Sequence, residues 1–298
     1  MNRKFFLQSA TLGIGALAFQ QSLLAQLLQQ QTWNIKMLTN DIGVFTERGG
    51  TILFYLSKEG IVVVDTQFPE QSKHLIDELK KRSEQPFKLL INTHHHGDHS
   101  GGNISFKGLV EHVLAHENSK TNQERVAKQS KTEDKQLFPD QTFGKTWSQK
   151  IGNEKITLHY FGAAHTDGDA LIHFENADIV HMGDLINNRR YPYIDHTAGA
   201  SIKNWVEVLE KTTKHFSKKT TFVYGHASEG FEVYGKADDI KAMQQYFEKL
   251  LTFGEAELKS GKSKEEFLKN KSIPGVTEWV GGGIERSLTA VYEELTSK

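Results

Sequence analysis

Seven consecutive positions, Thr93-His94-His95-His96-Gly97-Asp98-His99, carry four imidazoles and a carboxylate directly after the apolar run Lys88-Leu89-Leu90-Ile91-Asn92. A core buries such groups only at a cost and a surface has no need of them clustered, so metal coordination is the first chemistry to test. Residues two apart on an extended segment face the same way, which lets His94 and His96 chelate one ion while His95 points away. Asp98 and His99 fall in the turn that starts a helix, displaced from the first pair and able to reach a second ion. The chain has no cysteine. Any ion must therefore be held by imidazole and carboxylate, a donor set that suits zinc and accepts iron or manganese according to supply.

Further donors lie at other strand ends: Asp65-Thr66 after Val64, His165-Thr166-Asp167-Gly168-Asp169 after the run ending at Phe161, Gly183-Asp184 after Met182, and Gly225-His226 after Tyr224. A layered α/β fold exposes the loops beyond its strand ends along one edge, where residues distant in sequence converge. With His94, His96, Asp98 and His99, the residues His165, Asp184 and His226 are the stock for two ions. The remaining histidines, His74, His95, His112, His116, His159, His173, His181, His196 and His215, read as ordinary polar residues. Arg189 and Arg190, beyond Asp184, either meet an anionic substrate group or sit in a solvated loop. Tyr191 and Tyr193 either share that loop or donate a hydroxyl to a developing oxyanion.

The elements that must place these groups alternate in type. Residues 51–56 and 61–65 read as adjacent strands joined at Glu59-Gly60, with helical spacing over 70–82 and a strand running into the histidine cluster. Further strands are expected over 110–115, 156–161, 170–174, 179–182 and 221–224. Helices are expected over 117–135, over 201–216 capped by Ser201, and over 236–259 and 284–298. Strands and helices recur in two comparable halves, near 33–150 and 151–298, with no Pro/Ser-rich linker between them. One layered α/β domain spanning residues 26–298 is the expectation.

The spaced set His94-x-His96-x-Asp98-His99, followed in order by His165, Asp184 and His226, resembles the metallo-β-lactamase fold superfamily of dinuclear metal-dependent hydrolases. The resemblance covers nearly the whole chain beyond its N-terminal segment. It implies a four-layer αββα sandwich built from two similar halves, with the metals at one edge of the two sheets. It further implies that His94, His96 and His165 hold a first ion and that Asp98, His99 and His226 hold a second. Asp184 would bridge the two ions, and Asp65 would orient a ligand imidazole. The implied reaction is hydrolysis of an ester, lactone, thioester or β-lactam by a hydroxide shared between two divalent ions, most simply Zn2+. Asp98 would place that hydroxide and accept its proton.

Departures from subfamily patterns narrow the substrate little. The largest β-lactamase subclass is expected to use a cysteine ligand, where Asp184 stands here. Acyl-homoserine-lactone lactonases are expected to carry Tyr three residues after the bridging Asp, where this chain has Asn187. Diiron flavoproteins would need a carboxylate at His96. A second reading of the same ligands is an accessory metal-binding protein of a periplasmic oxidation pathway, opposed by a donor set complete for two ions.

Composition and the N-terminus bound the partners. A formal charge of −1 across 298 residues offers no basic field for nucleic acid, so the expected partner is a small-molecule substrate. Arg3 and Lys4 precede an apolar stretch from Thr11 to Phe19, and Leu23-Leu24-Ala25 offers a cleavage site before Gln26, the plan of an export signal over residues 1–25. That stretch is too short for a permanent membrane anchor. The run Arg3-Lys4-Phe5-Phe6-Leu7 is similar to a twin-arginine signal, with Lys4 in place of the second arginine. Its removal leaves 34 basic against 37 acidic residues, a formal charge of −3, and a periplasmic or secreted location is expected.

Overall fold

Side chains of opposite parity along the same strands are buried, and that pattern requires layers on both faces of each sheet. The computed structural model describes residues 32–297, so the expected signal segment lies outside the described residues. Residues 35–297 form one compact unit. The first sheet holds β1 (Asn34–Met37), β2 (Ile42–Thr46), β3 (Ile52–Ser57), β4 (Gly60–Val64), β5 (Phe87–Ile91), β6 (Val110–His116) and β7 (Gln141–Phe143), in that order. Pairing is antiparallel from β2 to β4 and parallel from β4 to β7. The second sheet draws on β8 (Thr146–Ile151), β9 (Glu154–His159), β10 (Leu171–Phe174), β11 (Ile179–His181), β13 (Thr221–Val223) and β15 (Tyr234–Gly235), in the order β15-β13-β11-β10-β9-β8. A two-residue parallel pair, β12 (Asn187–Asn188) with β14 (His226–Ala227), stands apart from both sheets.

Alternation sorts each strand's residues between layers. Leu53, Tyr55, Val62, Val64, Leu89 and Ile91 of the first sheet share one core with Ile156, Leu158, Ile172 and Phe174 of the second. Phe54, Val63 and Leu90, of opposite parity, are buried on the outer face, as are Leu75, Ile76 and Leu79 of helix α1 (Pro69–Arg82). The outer face of the second sheet, with Leu171, Val180 and Phe222, packs into another core with Trp205 and Phe247. Those aromatic side chains belong to α4 (Ile202–His215) and α5 (Ala237–Lys259). The result is the expected four-layer αββα sandwich.

The remaining helices are α2 (Gly97–Ser100), α3 (Glu117–Ser130), α6 (Lys264–Leu268) and α7 (Ile284–Thr296). Pro69 at the first position of α1 and Lys80, Lys81 and Arg82 in its last turn agree with the helix dipole. Ser201 caps α4 as expected, its hydroxyl accepting from the Asn204 amide at 3.2 Å. The Glu294 carboxylate of α7 also accepts from the Ile202 and Lys203 amides, at 2.6 and 3.0 Å. Among the described residues no helix is long and apolar enough to cross a membrane.

Two expectations shift. The helix expected over 117–135 ends at Ser130, because Lys131 turns left-handed (φ 55°) and its amide closes back on Ala127 and Lys128. Strand β8 pairs with β9, so the halves divide between β7 and β8 rather than near residue 150.

Two outcomes follow from the packing. Trp205 is fully buried and donates its Nε1–H to the Leu185 carbonyl at 3.1 Å. Trp205→Ala is expected to lower the unfolding free energy by about 3–5 kcal/mol in denaturant titrations. The second concerns His159, whose ring lies 4.9 Å from His215 and 6.4 Å from His173, centre to centre. Burial, aided by His215 and His173, pushes its pKa from 6.5 down to about 4. Between these values the unfolded chain binds more protons, so stability falls as pH drops from about 6.5 to 4. Denaturation across that window should show the loss, and His159→Gln should reduce its slope.

Candidate metal centre

Every group expected at the site sits where a strand ends. Strand β5 delivers Thr93 to His99 in its following turn and α2, β4 delivers Asp65, β11 delivers Asp184, and the turn after β13 delivers His226. His165 comes from the longer loop after β9. Close packing of backbone against the site demands glycine at two places. A Cβ at Gly225 would overlap the Asp184 carboxylate, and one at Gly50 would overlap the His99 ring. Asp65 adopts a left-handed φ of 65°, a conformation that costs a non-glycine residue on the order of 1 kcal/mol or more. Its carboxylate offsets this by accepting from the Thr93 amide (2.8 Å) and the Thr93 hydroxyl (2.7 Å).

The outward-facing nitrogen of each ring decides which way the inner one must point. The Thr93 hydroxyl has one proton and gives it to Asp65, so at 2.9 Å from His94 Nδ1 it accepts a proton from that nitrogen. His94 Nε2 is thereby a bare lone pair, and it is buried with no hydrogen-bond partner. His165 Nδ1 faces the Tyr193 carbonyl at 2.8 Å and must donate, which leaves Nε2 bare. His96 Nε2 faces the Asp195 carboxylate at 2.9 Å and donates, which leaves Nδ1 bare. His165 Nε2 and His96 Nδ1 then stand 2.9 Å apart, two lone pairs aimed at one another. Donor atoms of His94, His96 and His165 all lie within 4.8 Å of each other. A cation placed between them relieves that convergence.

A second convergence lies beside the first. His99 Nδ1 donates to Asp65 at 2.7 Å, turning Nε2 toward Asp184 Oδ1 (3.0 Å) and His226 Nε2 (3.5 Å). Asp98 Oδ2 is 3.2 Å from His226 Nε2 and 4.0 Å from His99 Nε2. Asp184 reaches both groups, with Oδ2 3.7 Å from His165 Nε2 and Oδ1 without a well-aligned hydrogen-bond donor. The site thus contains two adjacent sets of nitrogen and oxygen donors joined by one carboxylate.

Electrostatics follow from this crowding. Burial, reinforced by His99 and His165, holds His94 well below the usual imidazole range. Burial likewise pushes His165 down to about 3, against the pull of Asp184. His99 goes the other way: burial opposes its charge, yet Asp184 and Asp65 together hold its pKa well above the usual value. Burial alone would raise Asp98, but its hydrogen bond to His226 and the His99 charge bring it to about 2. His94 and His165 offer lone pairs while the carboxylates call for positive charge, the donor chemistry of a divalent metal site. The residues present fit such an ion.

The structure therefore brings His94, His96, Asp98, His99, His165, Asp184 and His226 to one cluster and places Asp65 behind His99. It differs from the sequence reading at other positions. The Arg189 guanidinium turns away from the cleft, 2.8 Å from Glu278 and 3.4 Å from Asp239 and over the Trp279 ring, because its left-handed backbone (φ 57°) reverses the chain there. Arg190 instead lines the cleft with Tyr191 and Tyr193. His95, expected to point away, is buried with Nε2 3.6 Å from Asp195 and forms with His96 and Asp195 a further cluster of possible metal-ligating atoms. Asp195 itself was not foreseen. It lies in an irregular loop with no spacing signal, and only its hydrogen bond to His96 marks it.

Comparison with known proteins agrees with the geometry. The model of the metallo-beta-lactamase superfamily matches residues 45–226. Metallo-beta-lactamase IND-1 from Chryseobacterium indologenes is 26% identical over 190 residues, covering 62% of this chain and 75% of that protein. The 2,4-dinitroanisole O-demethylase subunit alpha from Nocardioides sp. (strain JS1661) is 28% identical over 130 residues, 43% of this chain and 38% of the relative. Among solved structures, the metallo-beta-lactamase from Pontibacter korlensis shares the fold with a TM-score of 0.62 at 20% identity, covering 72% of this chain and 99% of that one.

If Asp195 sets the His96 tautomer, Asp195→Ala should weaken metal binding by about 10- to 100-fold in chelator competition. Binding at wild-type strength would mean that the His96–Asp195 bond does not orient the ligand.

Proposed function

The chain belongs to the metallo-beta-lactamase superfamily, and on that premise we propose that it is an exported, zinc-dependent hydrolase with two metal ions, cleaving an ester, lactone, thioester or β-lactam bond of a small molecule. The observation that carries this reading is the convergence of the bare His94 Nε2, His96 Nδ1 and His165 Nε2 beside a second donor set, with Asp184 reaching both. His94, His96 and His165 would hold one ion, Asp98, His99 and His226 the other, and Asp184 would touch both. Such ions supply a water of lowered pKa and polarise a scissile carbonyl.

The chain's own groups would do the rest. Asp98 stays ionised at neutral pH and stands at the open side of the donor sets, half-exposed to the cleft, where it can take a proton from the attacking water and return it to the leaving group. Burial pushes the Tyr191 and Tyr193 phenols above their usual range, so both keep the proton needed to donate to an oxyanion. Asp65, Thr93, Asp195 and the Tyr193 carbonyl would keep the imidazoles oriented through turnover. The printed names of the relatives span β-lactam and O-demethylation chemistry, so membership of the superfamily does not select the substrate.

Purified protein should bind about two metal equivalents by elemental analysis and hydrolyse at least one of a cephalosporin, a lactone, a thioester or an aryl ester, with loss of activity in chelator. Asp98→Asn or His96→Ala should lower kcat/KM by about 100-fold or more while far-UV circular dichroism is preserved. Undiminished turnover in either variant would overturn the assignment. For export, N-terminal sequencing of protein recovered from the periplasm of a bacterial host should begin at Gln26.

A further inference from the structure

Two guanidiniums reach the metal cleft from distant parts of the chain. Arg190 follows β12, and Arg286 lies in the first turn of α7; both line a cleft of about 320 Å³ over the donor residues. The carboxylates of that lining, Asp98 and Asp184, already face the histidines. Among the described residues no carboxylate pairs with Arg190 or Arg286, whereas the adjacent Arg189 is held by Glu278 and Asp239. The polar contact of Arg190 is with an imidazole, His226 Nδ1, at 3.4 Å, the outer limit of a hydrogen bond.

Arg286 is carried on a firmly seated helix. Beside it, the Ser287 hydroxyl is buried and accepts from Tyr246 at 2.8 Å, and further along Glu294 binds the N-terminal amides of α4. The guanidinium also borders a second chamber of about 480 Å³ that shares Tyr193 with the cleft and is lined by Ile194, Ala290 and the carboxylates Asp195, Glu285 and Glu293, so that within it, among the described residues, Arg286 is the one group suited to an anion and the remainder of a ligand there must be neutral or cationic. Helix α7 lies outside residues 45–226, the segment that the superfamily model matches. This wall of the cleft is thus built by the chain's C-terminal region.

We infer that the substrate of this site is anionic, carrying a carboxylate or phosphate group near the scissile bond that Arg286 and Arg190 receive, with the rest of the molecule extending into the chamber past Tyr193. The inference rests on the hydrolytic reading above. Guanidinium is suited to the task because its planar N–H groups match a carboxylate or phosphate edge in paired hydrogen bonds. A chain of formal charge −1 has no general attraction for anions, so any selection is local to the cleft, where these two side chains are the cationic groups that the chain itself supplies.

The test compares metal-loaded protein on 4-nitrophenyl butyrate and on the 4-nitrophenyl monoester of succinic acid, which differ by a charged terminus. The wild type should favour the anionic ester by about 10- to 100-fold in kcat/KM, chiefly through KM. Arg286→Ala should remove most of that preference, Arg286→Lys should restore part of it, and Arg189→Ala should leave the ratio between the two esters in place. Calorimetric titration of glutarate and of inorganic phosphate into wild type and Arg286→Ala separates the sources: the anion whose binding the substitution weakens more is the group recognised. Equal kcat/KM for the two esters in the wild type, or a preference that survives Arg190→Ala combined with Arg286→Ala, overturns the inference. If the wild type hydrolyses neither these esters nor a lactone, thioester or cephalosporin, the hydrolytic reading fails instead. The two titrations then decide the anion site alone, with unchanged binding in Arg286→Ala counting against it.

Discussion

The structure depends on a forced electrostatic conflict. Outward nitrogens of four imidazoles are tied to groups that can only accept from them: the Thr93 hydroxyl, the Asp195 and Asp65 carboxylates and the Tyr193 carbonyl. The ties at His94, His96 and His165 leave bare lone pairs in the same small volume, and the fourth turns His99 Nε2 toward the carboxylates of Asp98 and Asp184. Folding such a site without a compensating cation is unfavourable, since it brings the lone pairs of His165 Nε2 and His96 Nδ1 within 2.9 Å of one another in buried surroundings. The stability of this edge of the sandwich is therefore linked to whatever positive charge occupies it.

The remainder of the fold serves that constraint. Five segments that end at one edge must be held in fixed register, and two apolar layers, one between the sheets and one under α4, α5 and α7, do so by burying opposite faces of the same strands. Backbone is brought so close to Asp184 and to His99 that only glycine fits at positions 225 and 50. The strained Asp65 backbone persists because Thr93 and His99 both need its carboxylate. The C-terminal helices complete the outer layer and also reach round to the mouth of the cleft, where α7 contributes Arg286.

Much of the donor set was legible because coordination leaves local marks. His94, His96, Asp98 and His99 stand at the alternation of an extended turn, and Asp184 and His226 follow glycines at the ends of short apolar runs. The layered fold was legible for a related reason, since period-two and helical patterns state which faces are buried. Short or partly exposed strands such as β1, β2 and β8 carried no strong pattern and were not foreseen. Nor was the end of α3, where Lys131 takes a left-handed turn that no glycine announced.

The sequence by itself determined the donor types, their order and the strand ends that carry them, because these follow from residue chemistry and short-range periodicity. Tertiary structure alone decided which nitrogen of each imidazole faces inward, since that choice is made by partners such as Asp195, 99 residues from His96. It alone separated Arg190 from Arg189, through a single left-handed residue that turns one guanidinium outward and leaves the next over the cleft. And it alone brought Arg286 to a site whose candidate donors end at His226, because contacts between elements far apart in sequence are set by packing of whole layers and leave no trace in local spacing.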